Sequence, residues 1–303
     1  MDLIKTHDWF YTSENEPRGY IDSHGLRELW FHTGTACNLA CPFCLEGSRP
    51  GDNRLQAMRF EEATPYIDEA LDMGVEQFSF TGGEPFVIRD FIRILAYASE
   101  HRPCLVLTNG TDPLLKRAHA VAPLAESRYP ISFRISLDAP DSVAHDEGRG
   151  SGSFAKSLES LQFLSKQGFK VSVARQMGMD EDSAAVEAGY RKIFAEYGLP
   201  VTMPIIAFPD FHTPNAEVTT PQITEGCMTR YQTEANRKDF MCAFSKMVVK
   251  QNGAMRIYAC TLVDDDVRYA FDGTLADSIK ERIILKHHRC YSCFAFGASC
   301  SEI

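Results

Sequence analysis

Short apolar runs alternate with longer amphipathic segments from about residue 28 to residue 207. The runs are rich in β-branched and aromatic residues, which favours strands, whereas the longer segments carry apolar residues at helical spacing. Strands are predicted at 29–33, 75–80, 104–109, 131–137, 170–176 and 201–207. Helices are predicted near 59–73, 89–101, 112–126, 153–167 and 181–197. This alternation predicts a parallel sheet with crossover helices.

The predicted order of elements indicates an α/β fold. Six strands with intervening helices favour a partial (β/α)6 barrel, in which the functional groups cluster at the carboxyl ends of the strands. A doubly wound open sheet is the alternative, and it also places ligands at the carboxyl ends of its strands.

The pattern changes after the sixth predicted strand. Residues 208–226 contain three prolines and little periodicity, which is typical of a linker. Two alternating runs then flank Asn252-Gly253, a pair that favours a type I′ hairpin. Residues 273–288 are predicted to form a turn and a helix. We therefore expect an N-terminal arm over 1–27, a core domain over 28–210, and a linker with a small α+β domain over 211–303.

The composition is that of a globular protein. Hydrophobic residues make up 44% of the 303 residues, and no apolar run approaches the roughly 18 residues of a membrane span. The first residues lack the apolar stretch of a secretory signal, so we expect a cytoplasmic protein with no membrane partner. A net charge of -10 argues against nucleic acid as a partner, because an acidic surface repels phosphates.

Ten cysteines are many for a cytoplasmic chain, in which thiols stay reduced. Metal binding or catalysis is the expected explanation. Three of them, Cys37, Cys41 and Cys44, lie on one short loop after the first predicted strand. They can bind three corners of an iron-sulfur cube and leave one iron open, since such clusters take four ligands. Structural zinc is the alternative, but it needs four protein ligands. The spacing therefore favours a [4Fe-4S] cluster.

The run TACNLACPFC over 35–44 resembles the CxxxCxxC signature of the radical S-adenosylmethionine (SAM) superfamily. Later motifs follow in the superfamily's order, each after a predicted strand. They are Thr81–Pro85, like GGEP, then Leu107–Gly110, like TNG, and Ser136–Asp138, like SxD, followed by His145-Asp146 and Arg149-Gly150. Each motif alone is compatible with an ordinary turn. Their joint order behind the cysteines favours the superfamily.

The resemblance implies that SAM binds the open iron and that one electron from the cluster cleaves SAM to a 5′-deoxyadenosyl radical. The radical then takes hydrogen from a substrate, while the protein excludes water. The residues implied to bind SAM are Phe43, Gly82, Gly83, Glu84, Pro85, Thr108, Asn109, Ser136, Asp138 and Arg149. Glu84 is expected to accept the SAM amino group, Ser136 to contact the ribose and Arg149 to face the carboxylate. Phe43 shields the cluster or touches adenine, with core packing as the alternative.

The second cysteine group has four members that can bind one metal centre: Cys242, Cys260, Cys290 and Cys293. A hairpin after the first of them and a CxxC at the end resemble the SPASM/Twitch extension of radical SAM enzymes. The resemblance implies the shorter, Twitch-like form with one auxiliary [4Fe-4S] cluster, and zinc is the alternative. Cys227 is a candidate hydrogen donor, unless it is only a buried spare thiol. Cys300 has no assigned role.

These features lead to three hypotheses about function. The first is a radical SAM oxidoreductase of dehydrogenase or epimerase type that acts on a small metabolite. Only about 30 residues precede the first predicted strand of the core, too few for the separate peptide-recognition domain of many peptide-modifying relatives. The second is a maturase that oxidises, crosslinks or epimerises a residue in a peptide or protein. The third is a non-catalytic iron-sulfur or zinc protein. For an enzyme, the resemblance implies flavodoxin or ferredoxin as the reductant.

Overall fold

The computed structural model describes residues 5–178, 181–209, 211–297 and 301. The strands in these ranges are β1 Tyr20–Ile21, β2 Glu28–His32, β3 Gln77–Thr81, β4 Cys104–Thr108, β5 Ile131–Ser136, β6 Lys170–Gln176, β7 Ile205–Phe208, β8 Ser245–Gln251, β9 Ala254–Tyr258, β10 Ala270–Phe271 and β11 Ile283–Ile284. The helices are α1 His7–Phe10, α2 Phe60–Asp72, α3 Phe91–Ser99, α4 Asp112–Lys116, α5 Ala118–Val121, α6 Ser142–Arg149, α7 Ser153–Lys166, α8 Ser183–Glu196, α9 Glu225–Tyr231, α10 Glu234–Lys238, α11 Met241–Phe244, α12 Leu275–Ser278 and α13 His288–Phe296.

Nine of these strands form one sheet, in the order β10-β9-β8-β2-β3-β4-β5-β6-β7. Neighbouring strands from β2 to β7 are parallel and follow chain order, with at least one helix in each connection. The predicted α/β fold with six parallel strands is therefore confirmed. Because all six strands run the same way, their carboxyl ends share one edge of the sheet.

Two elements of the core differ most from the predicted bounds, and a proline contributes to each difference. Strand β7 begins at Ile205 and not at residue 201, because Pro204 has no N–H to donate and restricts the residue before it. The predicted helix over 112–126 is divided into α4, α5 and a 3-10 turn over Ala122–Glu126 that has a proline in its first positions.

The sheet is covered on both faces. In β2, Leu29 and Phe31 belong to a hydrophobic cluster that includes the crossover helices, whereas Trp30 belongs to a second cluster with the C-terminal elements. Successive side chains of a strand point to opposite faces, which explains this division. Two buried faces also explain why the strands read as continuous apolar runs.

The predicted hairpin does not form a separate sheet. Strand β8 pairs in parallel with β2, Glu28 opposite Ser245, and β9 returns antiparallel to β8. Asn252 and Gly253 have φ angles of 53° and 78°, as a type I′ turn requires. The division of the chain at residue 210 stays a prediction, since the sheet runs across it.

The helix predicted within 273–288 is present but much shorter than the segment. Helix α12 ends after one turn at Ser278, strand β11 follows, and α13 begins only at His288. Ile283 and Ile284 pair with Ile21 and Tyr20 of β1. Burial of two β-branched residues against the N-terminal arm overrides the helical spacing of the local sequence.

None of the helices in the described ranges is long and apolar enough to cross a membrane.

Candidate active site

A cavity of about 210 Å³ lies at the carboxyl ends of the parallel strands. Its walls come from the ends of β3 to β7 and from the loop after β2. The predicted site residues that line it are Cys37, Cys41, Phe43, Cys44, Gly82, Gly83, Thr108, Asn109, Ser136, Asp138 and Arg149. Parallel pairing thus brings together motifs that are far apart in the chain, as the motif order predicts.

The cysteines of the first group are free thiols of intermediate exposure. The N–H of Cys44 donates to the carbonyl of Cys41 at 3.1 Å, which turns the loop. Burial raises the pKa of the Cys37 thiol to about 12 and also raises the pKa values of Cys41 and Cys44. Thiolates become stable here only beside a positive centre, so three soft donors on one cavity wall fit the open-ended cluster.

The GGEP turn packs against the backbone of the loop that carries the cysteines. The N–H of Gly83 donates to the carbonyl of Gly34 at 2.8 Å, and that of Glu84 donates to the carbonyl of Ala36 at 3.0 Å. A Cβ at Gly83 would lie 2.5 Å from the carbonyl oxygen of Ala36 and 2.6 Å from that of Thr35. Only glycine allows the two backbones to approach this closely.

Glu84 and Pro85 are buried and do not line the cavity. The Glu84 carboxylate accepts hydrogen bonds from the Thr108 hydroxyl at 2.8 Å and from the N–H groups of Asn109 at 2.8 Å and Phe86 at 3.0 Å. Burial raises the pKa of Glu84 to about 7, and these hydrogen bonds act in the opposite direction. The carboxylate therefore ties the GGEP turn to the end of β4. The expected contact of Glu84 with the SAM amino group stays a prediction.

Arg149 and Asp138 form an ion pair on the wall of the cavity. The guanidinium carbon of Arg149 also lies 5.7 Å from the centre of the Phe43 ring. A Cβ at Gly148 would lie 2.4 Å from a ring atom of Phe43, so the ring packs directly on the backbone of α6. These contacts fix Phe43 beside the cysteines and balance the charge of Arg149 with Asp138.

Other residues of the cavity have no motif to reveal them. Arg175 and Gln176 lie at the end of β6, and Arg175 donates to the carboxylate of Glu181 at 2.8 Å. Phe211 and His212 come from the linker. The position of Arg175 and Gln176 at a predicted strand end could have indicated their place in the cavity. Only the folded chain shows that the linker forms one of its walls.

The four cysteines of the second group line one small apolar pocket, together with Phe240, Met241, Leu262 and Tyr269. Burial raises the pKa values of the Cys242, Cys260 and Cys290 thiols. Within the described ranges no three His, Cys, Asp or Glu residues are grouped as around a single metal ion. The observation that fits a cluster at this group is that all four thiols line one pocket.

Arg289 joins the two cysteine groups. It is 1% exposed and immediately precedes Cys290. Its guanidinium donates to the carbonyl of Leu45 at 2.7 Å in the first cysteine loop and to that of Leu262 at 3.2 Å, two residues after Cys260. It also donates to the carbonyls of Phe211 and His212 at 3.2 and 2.9 Å. One side chain thus links both cysteine groups and the linker wall.

Substitution of Arg289 by methionine is expected to lower the melting temperature by at least about 5 °C, since two buried and two part-buried carbonyls lose a donor, and each buried one costs about 1 kcal/mol or more. Circular dichroism of anaerobically purified protein measures this change. Arg93→Met is the matched control, because the Arg93–Glu61 pair is 60% and 68% exposed and contributes little. Equal melting temperatures for the two variants would show that Arg289 does not hold these segments together.

A second set of contacts between the segments that carry the two cysteine groups involves Glu46, which lines the cavity. Its carboxylate lies 3.1 Å from Nε2 of His32 and accepts from Arg54 at 3.2 Å. Arg54 also donates to Asp264 at 2.6 Å, four residues after Cys260. Arg54 and His32 lower the pKa of Glu46 against the effect of burial, which keeps this carboxylate ionised.

Cys227 lines neither pocket. Its thiol accepts a hydrogen bond from the Thr224 hydroxyl at 3.3 Å, and the residue packs on the second hydrophobic cluster. The hydrogen-donor role of Cys227 stays a prediction without geometric support. Cys300 lies outside the described residues.

The cysteine loop and the glycine turn lie together at the carboxyl ends of the parallel strands, where α/β folds place their ligand sites. A family model for the radical SAM superfamily matches residues 31–188, and the chain belongs to this superfamily. The predicted superfamily is confirmed, and with it SAM and a [4Fe-4S] cluster as its cofactors. The SPASM/Twitch-type extension and the auxiliary cluster belong to the proposed function. The assignment of individual cysteines and SAM contacts remains a prediction.

Three curated relatives match about half of the chain. Mycofactocin maturase MftC of Mycolicibacterium smegmatis is 34% identical over 51% of this chain and 40% of MftC. The antilisterial bacteriocin subtilosin biosynthesis protein AlbA of Bacillus subtilis is 36% identical over 46% of this chain and 30% of AlbA. The AdoMet-dependent heme synthase of Nitratidesulfovibrio vulgaris is 32% identical over 46% of this chain and 37% of that protein. The chain thus aligns with less than half the length of each relative.

Among solved structures, Streptococcus suis SuiB bound to S-adenosylmethionine has a TM-score of 0.61. The match covers 85% of this chain and 66% of SuiB at 16% identity. A likeness at this identity establishes the fold, including its extension beyond the six parallel strands.

Proposed function

We propose that this chain is a radical SAM maturase that modifies a residue of a peptide or protein. The observation that carries the proposal is the similarity at 34% and 36% identity to MftC and AlbA, whose names describe a maturase and a bacteriocin biosynthesis protein. This similarity favours the peptide hypothesis over the small-metabolite hypothesis.

Cys37, Cys41 and Cys44 would hold the SAM-binding cluster in this proposal, and SAM bound there supplies the 5′-deoxyadenosyl radical. The second cysteine group would hold the auxiliary cluster, because its four thiols share one pocket. That cluster makes an oxidative modification possible, since it can take up an electron. We therefore propose that the enzyme is an oxidoreductase.

The residues of the cavity have separate tasks. Gly82 and Gly83 would form part of the wall against which SAM lies, because both line the cavity and have no side chain to fill it. Ser136 and Asp138 lie on the next strand end, where they can meet the ribose. Phe208 and Phe211 supply apolar walls that exclude water from the radical.

A small-metabolite oxidoreductase is the second candidate. The observation in its favour is the similarity to the heme synthase, at 32% identity over 144 residues, because the product in that enzyme's name is not a peptide.

The two candidates differ in which compound stimulates SAM cleavage. We expect short peptides encoded next to this gene to increase 5′-deoxyadenosine formation by the anaerobic, dithionite-reduced enzyme and to change in mass. Liquid chromatography with mass spectrometry measures both products, and the Cys37/Cys41/Cys44→Ala variant is the control. Stimulation by low-molecular-mass metabolites alone, with every peptide unchanged, would contradict the proposal and support the second candidate.

A further inference from the structure

Lys246 is a fully buried lysine on β8, four residues after Cys242. Its ammonium donates to the carbonyls of Cys242 at 3.2 Å and Ser245 at 3.0 Å. An ammonium has three N–H donors and a full charge, and no carboxylate in the described ranges forms an ion pair with it. Burial of an unpaired charge costs several kcal/mol, so a negative charge nearby would stabilise the ammonium form of this lysine.

The ammonium lies beside the second cysteine group, because it contacts the backbone carbonyl of Cys242. Cys242 and Cys260 are 7% and 8% exposed. Burial raises the pKa values of both thiols, and the charge of Lys246 lowers them. Burial lowers the pKa of Lys246 to about 8, and a negative charge on Cys242 or Cys260 acts in the opposite direction. The Phe271 ring, with its centre 6.0 Å from Nζ, is a further neighbour of the ammonium.

We propose that the Lys246 ammonium is the counter-charge of the auxiliary cluster and raises its reduction potential. The inference rests on the proposed function, in which Cys242, Cys260, Cys290 and Cys293 hold that cluster. Four thiolates give a [4Fe-4S] centre a net negative charge, and reduction adds one more electron. A buried cation therefore stabilises the reduced form more than the oxidised form, and the apolar surroundings strengthen the effect.

A purely structural role would be different. Helix α11 ends at Phe244, so a cation near its last carbonyls could act only as a C-terminal cap. Such a cap would change stability and leave the reduction potential where it is. The potential is therefore the decisive readout.

The experiment is a redox titration of the full chain followed by electron paramagnetic resonance, in a Cys37/Cys41/Cys44→Ala background that retains only the auxiliary cluster. Lys246→Met is expected to lower the equilibrium constant for reduction at least tenfold, a shift of about 59 mV to more negative potential for one electron. Lys246→Arg keeps the charge and is expected to stay close to the parent protein.

Three results would overturn the inference. Equal potentials for Lys246→Met and the parent would remove the counter-charge role, and so would an Arg variant shifted as far as the Met variant. If Lys246→Met does not fold, Lys246→Gln gives the same test with a polar, neutral side chain. If the parent background binds no iron or binds zinc, the auxiliary cluster of the proposed function is absent and the inference falls with it. If the auxiliary cluster forms but has the same potential in Lys246→Met as in the parent, the inference is wrong and the proposed function stands.

Discussion

The chain in which Cys37, Cys41 and Cys44 are all alanine is expected to form no 5′-deoxyadenosine from SAM. These thiols line the cavity at the strand ends and supply the only protein ligands we assign to the first cluster. Without them SAM has no iron to bind and no source of an electron. Anaerobic reconstitution should give about eight irons per chain for the parent and about four for the variant, because each cubane cluster holds four.

Cys227→Ala is the matched control for this prediction, since Cys227 lines neither pocket. It should retain both the iron content and the cleavage of SAM. Cleavage that persists in the triple variant would place the reactive cluster elsewhere. About four irons in the parent, together with zinc, would make the second cysteine group structural.

Gly83→Ala is expected to slow SAM cleavage by about a hundredfold. The added methyl would lie 2.5 and 2.6 Å from two backbone carbonyl oxygens, those of Ala36 and Thr35. Backbone cannot rotate away as a side chain can, so the segment directly before Cys37 must shift. A displacement of about 1 Å at a reacting centre costs about a hundredfold in rate. The rate of 5′-deoxyadenosine formation under saturating SAM measures the effect.

Gly226→Ala serves as the control for the added methyl group. A Cβ there would meet only the Thr224 hydroxyl at 3.4 Å, an ordinary contact. This variant should cleave SAM at the parent rate, and the auxiliary cluster signal should persist in both variants. A Gly83→Ala enzyme with the parent rate would mean that the GGEP turn can separate from the cysteine loop without consequence.

Local sequence patterns were sufficient for most of the core. Strand β6, predicted over 170–176, is observed as Lys170–Gln176, because valines that alternate with polar residues between two helical segments favour a strand. Local prolines explain the differences at β7 and over 112–126, whereas the differences in the C-terminal part occurred where a partner distant in the chain decides. Residues 283–284 form a strand only because β1 is present to pair with them. The hairpin was predicted, but its parallel pairing with β2 depends on an edge that no local signal describes.

The candidate site shows the same division. The order of the cysteine, GGEP, TNG and SxD motifs predicts that their residues meet, since parallel strands bring their carboxyl ends to one edge. The direction of the Glu84 carboxylate and the pairing of Arg149 with Asp138 do not follow from the motifs. Each depends on the hydrogen-bond partners available after folding.

The sequence by itself determined the superfamily, the α/β core and the two cysteine groups, because spacing and periodicity are properties of the chain. Tertiary structure alone decided that Arg289 links the two groups, that the linker forms a wall of the cavity, and that Lys246 is buried beside two thiols. The physical reason is that an isolated arginine or lysine in a sequence is most often solvated. Only burial, with the loss of water as a partner, makes its remaining contacts decisive.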